Sequence, residues 1–401
     1  MSGEVLLEED ITGWSARFAV RVRAAVDLSA SDRASDRASD GPLDDQAGGA
    51  LEQRVRRAYR DDVEYLRRLS TVENAAFEVR WLAVPGRPIT LTLLGRVDRQ
   101  DRARARADAV EALEQLAEVP AHVVAEPLRT RLAVERAFTP FRVAPTGLAE
   151  VRKPCLIGRP RRADAPMRVY LAVPRLRPVS SAWPGVLELL AAAGQPAMLS
   201  VGLVPTAVAP TFGQFLSLVA DQYAALGRPG RSGGTVARYG MPDRIDGDPF
   251  AAEAERFYRD AAQRYRGTVL RTRITLATLG PLDECLAHGV AERIGRGIAQ
   301  QVPGKSCVVE RPVSPRDQGV ALASLRALGV PRWGGHEVWR AEGVPQALRE
   351  LCELADPEEA AAAAWLPAAA TGRLPGGFPT LGPPGADGDG ADPGVRHLNS
   401  R

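Results

Sequence analysis

The chain has 401 residues and a mass of 43.0 kDa, more than one hydrophobic core usually supports, so we expect two or three domains. Its apolar fraction of 45% and charged fraction of 25% exclude a largely disordered chain. The net charge is only +3, and all basic residues except Lys153 and Lys305 are arginines. This arginine bias most simply reflects a GC-rich bacterial genome and is not by itself a sign of nucleic-acid binding.

The cysteines and the N-terminus point to a reducing compartment. The four cysteines lie far apart without a CxxC pair, and no histidine stands at zinc-ligand spacing, so we expect free thiols, no metal and no cofactor. The start MSGEVLLEED lacks the basic and apolar regions of a signal peptide, and there is no run of about 18 apolar residues. These patterns predict a cytoplasmic protein without a membrane span.

The first part of the chain predicts a linker followed by an α+β subdomain. Residues 1–50 combine a short strand or helix around Phe18 to Val26 with the polar repeat SDRASDRASDGPLDDQAGG, which predicts a disordered linker. From Leu51, apolar residues at helical spacing predict an amphipathic helix. Alternation on both sides of Pro85-Gly86 then predicts a β-hairpin. A helix over 100–118 and a strand over 121–126 complete a subdomain expected over 51–165.

A second, α/β subdomain is expected over 166–366. Apolar strands over 169–174, 196–205, 268–277 and 305–310 are separated by helices over 183–194, 211–226, 250–265 and 282–302. Further helices are expected over 315–328 and 345–355. This order predicts an α/β fold of two subdomains with mixed sheets and some parallel pairing. The Gly/Pro-rich stretch over 367–401 lacks periodicity and is expected to be a disordered tail.

The string AQQVPGKS, which ends at Ser306, satisfies a relaxed phosphate-loop pattern. A phosphate loop must follow a buried strand and open a helix, so that backbone N–H groups face the phosphates. Here the preceding residues predict a helix and the following residues a strand. The order is inverted, and we expect a plain turn in which Lys305 has no nucleotide role.

No catalytic constellation is visible in the sequence. The four histidines are scattered without a Ser, Cys or carboxylate partner at a recognisable spacing. The acidic pairs Asp283-Glu284 and Glu358-Glu359 lie at predicted helix starts, where carboxylates favourably face the N-terminal dipole. We therefore expect these acids to cap helices.

Two basic stretches could meet a partner. The first covers 152–177, and the second is a glycine-rich loop with Arg228, Arg231, Arg238 and Arg244. Arginines in such loops can follow phosphates without sequence preference, which leaves non-specific nucleic-acid contact open. An acidic protein surface is the alternative that we favour, because only Tyr239 offers a ring on which bases could stack.

Two longer runs carry a family resemblance. They are VYLAVPRLRPVSSAWPGVLELLAAAGQPAMLSVGLVPTAVAPTFGQFLSLVADQYAAL and DPEEAAAAAWLPAAATGRLPGGFPTLGPP. Together they resemble the non-catalytic N-terminal region of bacterial HerA/FtsK-type ATPases, including those of conjugation and type IV secretion. In that family a strand, a helix, a strand ending in Pro and a long helix occur in this order. The positions that match its later run are Glu358, Glu359, Ala360, Trp365, Leu366, Pro367, Pro375 and Gly376.

The resemblance spans Leu51 to Pro384 and stops where such an ATPase would enter its motor core. No phosphate loop, magnesium ligand or arginine finger of the family can be assigned here. It therefore implies a non-enzymatic accessory or adaptor subunit that binds a HerA/FtsK-type motor ATPase acting in DNA translocation. Trp365, Leu366 and Pro367 are expected to dock on this partner, and self-association into a homo-oligomer is left open.

An enzyme of unknown class is the alternative. The segment PRWGGHEVW places Trp333, His336 and Glu337 around paired glycines. Glycines let a backbone approach a ligand closely, and the aromatic rings could form a pocket wall. A response of the protein to nucleotides or metabolites would favour this alternative, whereas binding of a motor ATPase would favour the adaptor.

Overall fold

A computed structural model describes residues 3–29, 44–162, 165, 169–179, 181–231, 244–333, 342–370 and 372–382. Helices and strands are interspersed along these residues, so the predicted α/β class is confirmed. No helix within these ranges is both long and apolar enough to cross a membrane.

Five strands from the first part of the chain lie in one sheet. They are β1 (Leu6–Asp10), β2 (Gly13–Val26), β3 (Ala75–Ala83), β4 (Thr90–Arg99) and β5 (Val123–Pro127). β3 and β4 pair antiparallel, which confirms the predicted hairpin, and Gly86 in its turn has a φ of 74°. The region around Phe18 is a strand and not a helix, because Phe18, Val20 and Val22 alternate into the core.

The remaining strands extend this sheet or form small ribbons. They are β6 (Leu148–Arg152), β7 (Leu156–Gly158), β8 (Tyr170–Ala172), β9 (Ala197–Ala207), β10 (Gly230–Arg231), β11 (Arg244–Ile245), β12 (Thr268–Thr278), β13 (Val308–Glu310), β14 (Leu354–Ala355) and β15 (Thr380–Leu381). The main sheet has the order β1-β2-β4-β3-β9-β12-β6-β13, with β5 and β15 on β2 and β14 on β12. Among the described strands only β15 pairs in parallel, with β2.

The centre of the sheet joins the two expected subdomains. Trp81 of β3 lies opposite Leu199 of β9 in antiparallel register, and β12 pairs with both β9 and β6. A buried strand needs hydrogen-bonding partners along both of its edges, so strands from one half complete the strands of the other. The main sheet therefore contains strands from both sides of the boundary expected at 165/166, and the two expected subdomains share one sheet.

The described helices follow most of the predicted positions. They are α1 (Asp44–Ser70), α2 (Arg102–Ala117), α3 (Arg131–Phe138), α4 (Ala182–Ala191), α5 (Pro210–Gly227), α6 (Pro249–Arg264), α7 (Glu284–Ile294), α8 (Arg296–Ala299), α9 (Pro315–Arg326), α10 (Gln346–Arg349) and α11 (Pro357–Ala363). The helix expected over 282–302 is interrupted at Gly295, where a Cβ would lie 2.1 Å from Ser306 Oγ. The helix expected over 345–355 is only the short α10 with a 3-10 turn, before β14.

The two faces of the main sheet are covered differently. On one face, α1, α2, α4, α7 and α11 bury the main core around Trp81 and Phe77. On the other face, α3 and α9 cover smaller clusters that include Phe138 and Trp333. α5 and α6 enclose a separate cluster around Tyr223. The main core lies between the sheet and the helices that also form the candidate site.

The chain beyond residue 366 corrects the expected tail boundary. Ala369, Leu374 and Phe378 belong to the main core, and the Phe378 ring lies 5.4 Å from the Trp81 ring. β15 then pairs with the end of β2. The prediction of a disordered tail from residue 367 is therefore wrong for the residues up to 382. Single apolar residues between Gly and Pro pack into the core here, and they form no periodic pattern from which this packing could be predicted. Residues 383–401 and most of the predicted linker, 30–43, lie outside the described residues.

Candidate functional site

The predicted docking segment is only partly at the surface. Leu366 is 2% exposed and Pro367 is buried, so neither side chain is presented to a partner. Trp365 is half-buried, and its ring stacks on those of Trp81 and Trp183 at centroid distances of 5.9 and 5.7 Å. Of the three residues in this segment, Trp365 alone reaches a surface.

Trp365 lines a groove of about 550 Å³ between α1, α11 and the start of α4. We call it the Trp365 groove. Its walls include Val55, Tyr59, Val179, Trp183, Ala361 and Trp365, and its charged members are Glu52, Arg56, Arg60 and Asp62. A concave, mainly apolar space of this size with a few polar groups is typical of a binding site.

Hydrogen bonds hold the walls of the groove together. The Tyr59 hydroxyl of α1 donates to the Glu358 carbonyl of α11 at 2.9 Å. The Trp183 indole N–H of α4 donates to the Ala362 carbonyl of α11 at 3.0 Å. Because both bonds cross between helices, the groove is preformed by the fold.

A buried carboxylate lies in the wall of the groove. Asp62 is 3% exposed, and its Oδ1 lies 3.2 Å from Nε2 of His122, which is 5% exposed. Burial raises the pKa of Asp62, while His122 and the backbone amide of Leu366 act against this rise. This pair was not predicted from the sequence, although Asp62 falls on the apolar stripe of α1, three residues after Tyr59.

A second buried cluster surrounds Glu359, which is 0% exposed. Its Oε1 lies 3.2 Å from Lys153 Nζ, and its Oε2 lies 2.8 Å from Arg264 Nη1 and accepts a hydrogen bond from the Tyr265 hydroxyl at 2.7 Å. Burial alone would raise the pKa of Glu359, but Lys153 and Arg264 outweigh it and lower the pKa to about 2. Glu359 therefore acts as a buried anion that links β6, α6 and α11.

This geometry corrects the expectation that the Glu358-Glu359 pair caps a helix. The cap of α11 is Asp356, whose carboxylate accepts the Glu359 backbone N–H at 2.8 Å. The Glu359 side chain points into the core, where it pairs with the cations of Lys153 and Arg264. At the other acidic pair the expectation is confirmed, since the Asp283 carboxylate accepts the Cys285 backbone N–H at the start of α7.

The basic stretch over 152–177 is divided, because Arg152, Arg162 and Arg175 contact their own chain whereas Arg159, Arg161 and Arg177 are exposed. Arg152 lies within 3.5 Å of three carboxylates, those of Glu150, Glu310 and Glu353. Arg175 pairs with Glu358 at 3.2 Å. Arg162 Nη1 donates to the Arg228 carbonyl at 2.7 Å. Carboxylates of the same chain therefore pair with Arg152 and Arg175, whereas the exposed arginines are open to a partner.

The predicted arginine loop is described only at its two ends. Arg228 is exposed just after α5, and Arg231 of β10 lies opposite Arg244 of β11 in an antiparallel ribbon. Arg238 falls within 232–243, outside the described residues. The structure therefore brings the backbones of Arg231 and Arg244 together. It does not test the partner contacts predicted for the loop, which stay a prediction from the sequence.

The cysteines correct another expectation. Cys155 and Cys352 form a disulfide although they are 197 positions apart in the chain, and their Cα atoms lie 6.8 Å apart. Cys285 is free and exposed, and Cys307 is free and buried. The expectation of four free thiols fails because β12 pairs with both β6 and β14, which brings the segments around Cys155 and Cys352 together.

The described residues of the remaining motifs form no binding or catalytic site. The AQQVPGKS string forms a turn between α8 and β13, with Gly304 at a φ of 74°, which confirms the inverted order. Trp333, the predicted pocket wall, is 3% exposed and its indole N–H donates to Glu150 Oε1 at 3.1 Å. His336 and Glu337 lie outside the described residues. Among the residues that are described, no group of three or more His, Cys, Asp or Glu could hold a metal ion.

Comparison with known proteins leaves the site to be interpreted from its own geometry. The sequence matches no protein-family model, and no curated protein is significantly similar to it.

Proposed function

We propose that this protein is a non-enzymatic accessory subunit that binds a HerA/FtsK-type motor ATPase through the Trp365 groove. One observation carries the proposal. Trp365 belongs to the segment that, in the resembling ATPases, leads into the motor domain, and here it lines a preformed apolar groove. Partly buried aromatic residues in such grooves are the usual anchors of protein interfaces.

The wider function follows from the same proposal. The resemblance to ATPases of conjugation and type IV secretion makes DNA translocation the process in which the motor acts. Contact of Arg228, Arg231, Arg238 and Arg244 with an acidic surface of the motor or with nucleic-acid phosphates belongs to this proposal, as does self-association. The alternative enzyme around Trp333, His336 and Glu337 receives less support, because Trp333 is enclosed by its own fold.

Direct binding to the motor tests the proposal. The full chain is mixed with the purified HerA/FtsK-type ATPase from the same genome, and the Kd is measured by biolayer interferometry. Trp365→Ala is expected to weaken binding roughly 30-fold, because a central aromatic anchor contributes about 2 kcal/mol or more. Trp14→Ala, at a half-buried tryptophan of β2 outside the groove lining, is the matched control and should bind like the wild type.

A second variant covers the case in which Trp365→Ala fails to fold. Val55 is half-buried on the wall of the groove, so Val55→Arg places a charged side chain in the groove without removing a core residue. It should also abolish binding while the thermal unfolding temperature stays close to that of the wild type. Unchanged binding by a folded Val55→Arg protein would refute the groove as the docking site.

A further inference from the structure

The polar side chains of the Trp365 groove differ in whether they already have a hydrogen-bond or ion-pair partner. At the mouth, Arg56 pairs with Glu52 at 2.6 Å, and Arg60 Nε donates to the Arg56 carbonyl at 3.4 Å. Tyr59 uses its hydroxyl proton on the Glu358 carbonyl. Asp62 Oδ1 is buried and lies 3.2 Å from His122 Nε2, but no arginine or lysine among the described residues pairs with it.

Three carboxylates lie near Tyr59 in the groove wall. Burial raises the pKa of the Tyr59 phenol, and the carboxylates of Glu358, Asp356 and Asp62 raise it further. Of these three carboxylates, Glu358 pairs with Arg175 and Asp356 pairs with Arg264, both at 3.2 Å. Asp62 is therefore the carboxylate near Tyr59 that has neither an arginine nor a lysine partner among the described residues, and it is the one that a cationic ligand group could pair with.

The apolar walls suit the stem of a basic side chain. Lysine and arginine bury their methylene chains along apolar surface while the charged head reaches a polar partner. Indole and phenol rings attract such heads, and the groove has the rings of Trp183, Trp365 and Tyr59. An ionised carboxylate can only accept hydrogen bonds, so its natural partner is a cationic donor.

We propose that the partner inserts a lysine or arginine side chain into the Trp365 groove, where the cation pairs with Asp62. This inference rests on the proposed function, because the motor ATPase is the partner that supplies the side chain. It adds the chemistry of recognition: an aliphatic stem against tryptophan and a positive charge against a buried carboxylate.

The full wild-type chain allows a first test without any variant. n-Butylammonium and n-butylguanidinium mimic the two side chains, and n-pentanol is a neutral probe of similar length. In NMR titrations, both cations should shift the indole N–H signals of Trp183 and Trp365 saturably, at concentrations at least roughly tenfold below those needed for n-pentanol. Equal responses to the cations and to the alcohol would overturn the inference.

Asp62→Asn keeps the size of the side chain and removes its charge. It should abolish the preference for the cations and weaken motor binding roughly 30-fold, the loss typical of one partner of a buried charge pair. Asp61→Asn is the matched control, since it removes the same charge one residue away, outside the groove lining. It should behave like the wild type in both experiments.

The outcomes separate this inference from the proposed function. Motor binding that is lost in Trp365→Ala but unchanged in a folded Asp62→Asn protein overturns the inference and supports the proposed function. Absence of motor binding by the wild type overturns both the proposed function and the partner named here. In that case, cation binding that depends on Asp62 would support only the assignment of the groove as a cation site.

Discussion

Glu359 shows how much one buried charge can determine. Glu359→Ala should lower the free energy of unfolding by about 3–5 kcal/mol, because Lys153 and Arg264 would stay buried without their counter-charge. Glu358→Ala is the matched control: its carboxylate is exposed and pairs with Arg175, so the loss should stay below about 1 kcal/mol. Urea unfolding at pH 7 measures both variants, and equal losses would contradict the assigned role of Glu359.

The same residue sets an acid limit on stability. The pKa of Glu359 is lowered from 4.5 to about 2, so the folded state holds this proton less tightly than the unfolded state. Its stabilising effect is therefore fully present above pH 4.5 and is lost as the pH falls toward 2. Over this range the wild type should lose stability more steeply than Glu359→Gln. Parallel pH profiles of the two proteins would argue against an ionised Glu359.

At the scale of single residues, the sequence showed the candidates but not their partners. Trp365 was predicted to be functional and does line a groove. The sequence could not show that Leu366, its neighbour, is buried. Asp62 and Lys153 carried a weak signal, a charge on an apolar stripe and a rare lysine among arginines. Their partners His122 and Glu359 are distant in the chain, and only the folded sheet brings them together.

The C-terminal segment 367–382 makes a prediction at the scale of elements. A chain truncated after residue 366 loses Phe378 from the main core and β15 from the edge of β2, so it should be strongly destabilised or insoluble. A chain truncated after residue 382 keeps all these contacts and should unfold at the temperature of the full chain. Differential scanning calorimetry compares the two, and equal stability would show that 367–382 is dispensable.

Elements with a local pattern were predicted well. The β3–β4 hairpin and the helices α1, α2, α5 and α6 each repeat apolar residues at their own period, so neighbouring residues suffice to reveal them. β14 and β15 have only two residues each, which is too short for any period. They are strands because distant backbone groups on β12 and β2 pair with them. Such contacts cannot be predicted from local sequence.

The main sheet makes the whole molecule depend on both halves of the chain. The fragment 1–165 lacks β9 and β12, so β3 and β6 would each lose a partner strand and Trp81 would lose its contacts with Trp183 and Trp365. We expect this fragment to be unfolded when expressed alone and to fold when co-expressed with 166–401. Dispersed NMR signals from the isolated fragment would instead show that it is an autonomous domain.

The scarcity of lysine gives the folded chain a built-in chemical reporter. Lys305 is exposed in the turn between α8 and β13, whereas Lys153 is 5% exposed and held by Glu359 and the Leu354 carbonyl. An amine-acylating reagent should therefore modify Lys305 at once and reach Lys153 only when the region around Glu359 opens. The acylation rate of Lys153, followed by mass spectrometry, therefore measures how often the core opens transiently. The acylation of Lys305 serves as the internal standard for the reactivity of the reagent.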